Sequence, residues 1–153
     1  MRLFIALYPP DEARRHLRHA LGPAVQGRRV RLTATEKWHI TLAFLGEVPE
    51  ERLPELRAML AAVDVPKGRQ LRIRGGGDFR RRVTWAGVDG DLSDLAAAVG
   101  YDGDSFTAHL TVAYAHDAAL SAALADYVGP AWTVDEIALV HSAGGAYTTL
   151  GSW

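Results

Sequence analysis

Apolar and polar positions follow two different periods along the chain, and the switches between them predict its elements. Leu3-Phe4-Ile5-Ala6-Leu7-Tyr8 is an apolar run closed by Pro9-Pro10, which reads as a buried strand. From Asp11 onward apolar residues recur at Ala13, Leu17, Ala20, Leu21 and Ala24, a helical stripe with Arg14, Arg15, Arg18 and His19 on the wetter side. Gly27-Arg28-Arg29 reads as a turn, Val30-Arg31-Leu32 as a short extended piece, and Trp38 to Leu45 as a strand closed by Gly46. Pro49 to Val63 forms a second helical stripe through Leu53, Leu56, Leu60 and Val63, and Pro54 fits because it falls in the first turn. Arg69 to Arg74 alternates like a half-exposed strand and is expected to break at Gly75-Gly76-Gly77. Val83 to Val88 is the next strand. Asp91 is placed to cap a helix through Leu92, Leu95, Ala96 and Val99, and Gly100 and Gly103 mark a loop. Phe106 to Tyr114 reads as extended, Asp117 to Val128 as helical, Trp132 to Val140 as extended, and Ala146 to Leu150 as the last strand.

This order contains a repetition. Strand, helix, strand, helix, strand fills residues 2 to 74, and the series restarts at Val83 and runs to Val140. The pattern predicts an α+β protein without a glycine-rich nucleotide fingerprint. It is expected to be a single domain over 1–153 made of two duplicated lobes, with a cleft between them. A length of 153 residues suits one domain with a real core.

Composition narrows the function. With 48% hydrophobic and 23% charged residues the chain reads as folded, and no apolar run reaches the ~18 residues of a spanning helix. Met1 to Tyr8 is too short for a signal peptide, so a cytoplasmic protein with no membrane association is expected. The absence of cysteine excludes disulfides, thiol catalysis and cysteine-ligated metal sites. A net charge of -1 argues against coating long nucleic acid by charge alone and leaves room for a local basic site.

The chemistry lies in a repeated motif. His39-Ile40-Thr41-Leu42 in the first unit matches His109-Leu110-Thr111-Val112 in the second. Residues two apart on a strand share a face, so each His points with its Thr while Ile40, Leu42, Leu110 and Val112 point to a core. An imidazole titrates near neutrality, and two of them can act as base and acid, while hydroxyls can donate to phosphate oxygens. One His-x-Thr carries little information. Two copies at equivalent positions of a repeated unit point to in-line displacement at a phosphodiester.

The pair His39-x-Thr41 and His109-x-Thr111 resembles the signature of the two-histidine (2H) phosphoesterase superfamily. Arg2 to Leu7, Trp38 to Val48 and Trp85-Ala86-Gly87-Val88 resemble its RNA 2′,3′-cyclic phosphodiesterases, also called 2′-5′ RNA ligases (LigT-like). The resemblance spans essentially the whole chain. It implies a bilobal fold of two pseudo-symmetric lobes, each with an antiparallel sheet and helices outside, around a central cleft. It also implies hydrolysis of RNA or nucleotide 2′,3′-cyclic phosphate to a 2′-phosphomonoester, with no metal or other cofactor. His39 would be the acid, His109 the base, and Thr41 and Thr111 the phosphate holders. The expected partners are RNA 3′ ends or small cyclic nucleotides, and a monomer is expected. The alternatives are a 2′-5′ phosphodiesterase or reversible 2′-5′ RNA ligase and, from another class, a non-catalytic module binding RNA ends or nucleotides.

Two departures from the family pattern matter. Tyr114 stands where relatives commonly carry an arginine, and Ala108 where a proline often precedes the second His. Arg80, Arg81 and Arg82, between two strands, are candidates to supply the missing phosphate or RNA contact. Trp38 and Tyr114 are candidates to stack a base, whereas Phe44 is expected to pack in the core. Gly75-Gly76-Gly77 reads as a flexible turn, since it lacks the lysine and hydroxyl of a phosphate loop. His16 and His19 share a helix face without a third ligand, and His116 and His141 read as ordinary surface residues.

Overall fold

The computed structural model describes residues 1–100 and 106–153, so the loop expected at Gly103 lies outside the described residues. In chain order the elements are β1 (Arg2–Leu7), α1 (Asp11–Val25), β2 (Ile40–Glu47), α2 (Leu53–Ala61), β3 (Gln70–Phe79), β4 (Val83–Asp89), α3 (Ser93–Ala98), β5 (His109–Ala113), α4 (Ala118–Ala125), β6 (Val128–Thr133), β7 (Ala138–Ala143) and β8 (Ala146–Ser152). The fold is α+β, as expected. The strands form one sheet in the order β6-β3-β4-β5-β2-β1-β7-β8, antiparallel at every pairing. At its middle, β2 and β5 are joined by the single pair Ile40↔Leu110. The sheet is therefore two four-stranded halves that meet at one rung.

The halves are not the sequence-ordered units expected from the element series. β3 pairs with β4 and β6 in the second half, while β7 and β8 return to β1 in the first. Helices are exchanged too. Leu56 and Leu60 of α2 and Leu95 of α3 are buried with Leu3, Ile5 and Leu7 of β1 and Ile40 and Leu42 of β2. Leu17 and Leu21 of α1 and Leu120 and Leu124 of α4 are buried with Ile73, Ala86, Leu110 and Val112. Phe4, Ala6, Ala138 and Val140 form a third buried cluster. Thus β1 is apolar on both faces, which explains why it shows no clean alternation.

Three local expectations are corrected. β3 does not stop at Gly75-Gly76-Gly77 but runs through it with a register shift between Ile73 and Gly76. Glycine is required there: Gly75 has φ +65, and a Cβ on Gly76 would lie 2.4 Å from the Trp85 carbonyl oxygen. A Cβ on Gly77 would lie 2.9 Å from the Trp85 ring. The stretch expected as one strand from Trp132 to Val140 belongs to two, β6 and β7, and Val128 begins β6 instead of ending α4. Phe44, expected in the core, is 79% exposed.

Candidate active site

Both motifs sit at the seam between the half-sheets. Extending the Ile40↔Leu110 register one residue each way sets His39 across from Thr111 and His109 across from Thr41. Ile40, Leu42, Leu110 and Val112 are buried behind them, so the alternation of each strand turns all four polar side chains to one side. Small neighbours leave this side open, with Ala6 paired to Thr41 on β1 and Gly87 paired to His109 on β4. The four residues line one cavity of about 630 Å³.

The imidazoles are oriented in the same way. Nδ1 of His39 lies 2.7 Å from the Lys37 carbonyl oxygen, and Nδ1 of His109 lies 2.8 Å from the Thr107 carbonyl oxygen. A carbonyl only accepts, so each Nδ1 carries a hydrogen and donates it. Nε2 is thereby left as the nitrogen that exchanges a proton. In His39 it is 2.9 Å from the Thr41 hydroxyl. Burial pushes the His39 pKa down; the bond to Lys37 opposes this, and the nearby His109 adds to the lowering.

Aromatic rings hold both imidazoles. Phe4 stacks on His39 at 4.8 Å between ring centroids, and Tyr147 meets its edge at 5.7 Å. Phe79 and Trp85 meet His109 at 4.9 Å and 5.8 Å. Lys37 donates to the Gly145 carbonyl and stands over the Tyr147 ring, and Arg2 also lines the cavity, which among the described residues no carboxylate lines. Burial first, then the adjacent Tyr114 phenol and a hydrogen bond with it, raise the Tyr147 pKa and keep it neutral.

Among the residues singled out in the sequence, the structure brings His39, Thr41, Phe44, His109, Thr111 and Tyr114 to the cavity. Trp38 is not a stacking surface: it is 1% exposed, and its indole N–H donates to the Thr33 hydroxyl at 2.6 Å. Arg80, Arg81 and Arg82 are exposed at the β3–β4 turn and do not line the cavity, although Phe79 beside them touches His109. Arg80 and Arg81 both have positive φ, 51 and 58, which costs each roughly 1–3 kcal/mol. His16 is 2.7 Å from the Tyr127 hydroxyl, and His116 is 3.1 Å from an Asp78 carboxylate oxygen, so both have structural partners. Among the described residues no group of three or more His, Asp or Glu is arranged to hold a metal ion, and no helix is long and apolar enough to cross a membrane.

Sequence reading missed Phe4, Lys37, Tyr147 and Thr33. The first three reach the site by strand pairing and loop return, which local patterns do not encode. Thr33 is the tie between the motifs: its amide donates to the Val112 carbonyl at 2.8 Å, and its hydroxyl accepts from Trp38, the neighbour of His39. A threonine four residues before the Lys37-Trp38-His39 stretch was the only available signal.

A two-halved antiparallel sheet with a His-x-Thr strand from each half facing one cavity defines the two-histidine class of phosphoesterases. A family model described as LigT like Phosphoesterase matches residues 7–85. An RNA 2′,3′-cyclic phosphodiesterase of Thermus thermophilus is 32% identical over 98% of this chain and 88% of its own length. Another, of Archaeoglobus fulgidus, is 36% identical over 73% of this chain and 71% of its own. The crystal structure of Escherichia coli LigT complexed with 3′-AMP superposes with a TM-score of 0.80 at 28% identity, covering 99% of this chain and 95% of that one. The chain belongs to the LigT-like phosphoesterase family.

Proposed function

We propose that the protein hydrolyses the 2′,3′-cyclic phosphate at an RNA 3′ end, or on a small nucleotide, to a 2′-phosphomonoester. The observation that carries this reading is the matched pair of imidazoles, each pinned through Nδ1 to the carbonyl two residues earlier. The names of the Thermus and Archaeoglobus relatives and the nucleotide in the Escherichia coli structure support it. A cytoplasmic setting belongs to the same reading.

In the reaction His109 Nε2 takes a proton from water as the water oxygen bonds to phosphorus. The P–O3′ bond breaks in line, and His39 Nε2 gives its proton to O3′. Thr41 and Thr111 donate to the non-bridging oxygens, and Lys37 and Arg2 add positive charge at the cavity wall. Burial lowers the His39 pKa, so its imidazolium, once formed, gives up its proton readily. A bound phosphate anion favours that protonation.

The test is turnover of a 2′,3′-cyclic nucleotide in EDTA. Each of His39→Ala and His109→Ala should lower kcat by about 10²–10⁴. A cyclic phosphate that is bound but stays intact in the wild type would replace this reading with a binding module. A substrate with sulfur in place of O3′ separates the roles, since a thiolate leaves without an acid. It should restore H39A and not H109A, and the reverse would exchange them.

A further inference from the structure

The cavity does not end at the histidines. Thr33 and Ala34 line both it and a shallow groove that continues past Arg18 and Arg31, and that groove shares Arg18 and Thr35 with another bordered by Arg15 and His19. Arg15, Arg18 and His19 fall at i, i+3 and i+4 on α1, one face of the helix, and all are exposed, as is Arg31. Among the described residues no carboxylate lines either groove. Two neighbouring cations are neutralised: Arg14 pairs with Asp11, and Arg28 with Asp117 at 2.6 Å. Among the described residues no ion pair engages Arg15, Arg18 or Arg31. Arg15 and Arg18 are like charges at i, i+3, a spacing that slightly disfavours a helix, and Asp11 and Glu12 one turn before offset this at Arg15 but not at Arg18. The segment carrying Arg31 is fixed beside the second motif through Thr33, which binds the Val112 carbonyl.

We propose that this groove along α1 and residues 30–35 carries the phosphodiester backbone of the RNA preceding the terminal nucleotide. Arg18 and Arg31 would meet the phosphates nearest the cavity, with Arg15 and His19 beyond them. The inference rests on the cyclic-phosphodiesterase reading, because it needs the RNA terminus seated at the histidines. It assigns the body of the strand to α1 and not to the Arg80–Arg82 turn, which does not line these openings.

The experiment measures anisotropy of a fluorescein-labelled oligouridylate decamer ending in a 2′-phosphate, between 50 and 200 mM salt. The proteins compared are wild type, R18A/R31A and R80A/R81A. Loss of two phosphate contacts should reduce the slope of log K against log salt by about 1.4. Over that range the wild-type affinity then falls about sevenfold more than that of R18A/R31A. In parallel, the ratio of kcat/KM for a cyclic-phosphate decamer to that for a cyclic mononucleotide should drop in R18A/R31A, and further in R18E/R31E. A wild-type salt slope in R18A/R31A, or a loss confined to R80A/R81A, overturns the inference. Binding is read on the product-ended decamer and needs no turnover. An intact cyclic phosphate in the wild type would therefore remove the catalytic reading, while a changed slope would still support the groove.

Discussion

Replacing Thr33 with valine tests whether the tie between the motifs is a real constraint. The side chains are nearly isosteric, so the change removes a hydroxyl and leaves the shape. The Trp38 indole is 1% exposed, and its N–H has the Thr33 hydroxyl as partner at 2.6 Å. A buried donor stranded in this way costs about 1–3 kcal/mol. The Val112 carbonyl keeps the Thr33 amide at 2.8 Å, so loss of the longer 3.2 Å contact from the hydroxyl adds little. Taking about 2 kcal/mol and the usual unfolding entropy for a chain of this size, the melting temperature should fall by about 6 °C. Thermal denaturation followed by circular dichroism reads this directly. The control is Trp38→Phe, which deletes the N–H. In that background T33V should cost less than about 1 kcal/mol, giving a coupling of 1 kcal/mol or more across the cycle. Equal costs of T33V with and without Trp38→Phe would refute the reasoning, because the hydroxyl would then be acting through something other than the indole.

Four further outcomes follow from the geometry. Burial lowers the His39 pKa below its usual 6.5, so the unfolded chain takes up protons first as pH falls. Stability held above pH 6.5 is lost as pH drops through the folded value, and the melting temperature of His39→Asn should decline less than wild type below 6.5. Asp117 caps α4 by accepting from the Leu120 amide at 2.9 Å, and hydrogen bonding from Arg28 holds its pKa down at about 2. Asp117→Ala should cost about 1 kcal/mol in a melt at pH 7, and in wild type this share should be complete above pH 3.8 and vanish as pH falls through about 2. In Gly77→Ala the new Cβ meets the Trp85 ring at 2.9 Å, and Trp85 packs on His109, so kcat should fall more than KM rises and tryptophan emission should shift. Gly76→Ala, which drives Cβ to 2.4 Å from a backbone oxygen, should cost more than about 2 kcal/mol in the same melt.

The paired His-x-Thr strands were legible because their alternation is local and their repetition needs no alignment. Phe44 was misread for a reason that shows where such reading ends. From Thr41, strict alternation puts Phe44 with Leu42 on the core side. In the pairing with β1, however, Ala6 and Ile5 face Thr41 and Ala43, with Leu42 left over as a bulge. The extra residue shifts the phase, and Phe44 emerges on the outside beside the cavity. Trp38 was misjudged because β2 begins only at Ile40, so strand alternation says nothing about its direction. The glycine triplet reads as a break by composition alone. A positive φ at Gly75, the Trp85 carbonyl against Gly76 and the Trp85 ring against Gly77 explain together why three glycines continue a strand. The basic groove was equally hidden, because the helix stripe shows which side of α1 is wet but not that Arg31 lines the same groove as Arg18.

The partition of the sheet also bears on synthesis. The second half draws β3, β4, β5 and β6 from one uninterrupted span, residues 70–133, whereas the first needs β1 and β2 from the start of the chain and β7 and β8 from residues 138–152. On the ribosome, the half that begins first is therefore completed last. Until β7 emerges, β1 keeps an open edge, so the half-sheet that carries His39 is completed only when nearly the whole chain is available. A product truncated before β7 would retain the second motif on a paired strand while leaving the first on an unfinished sheet.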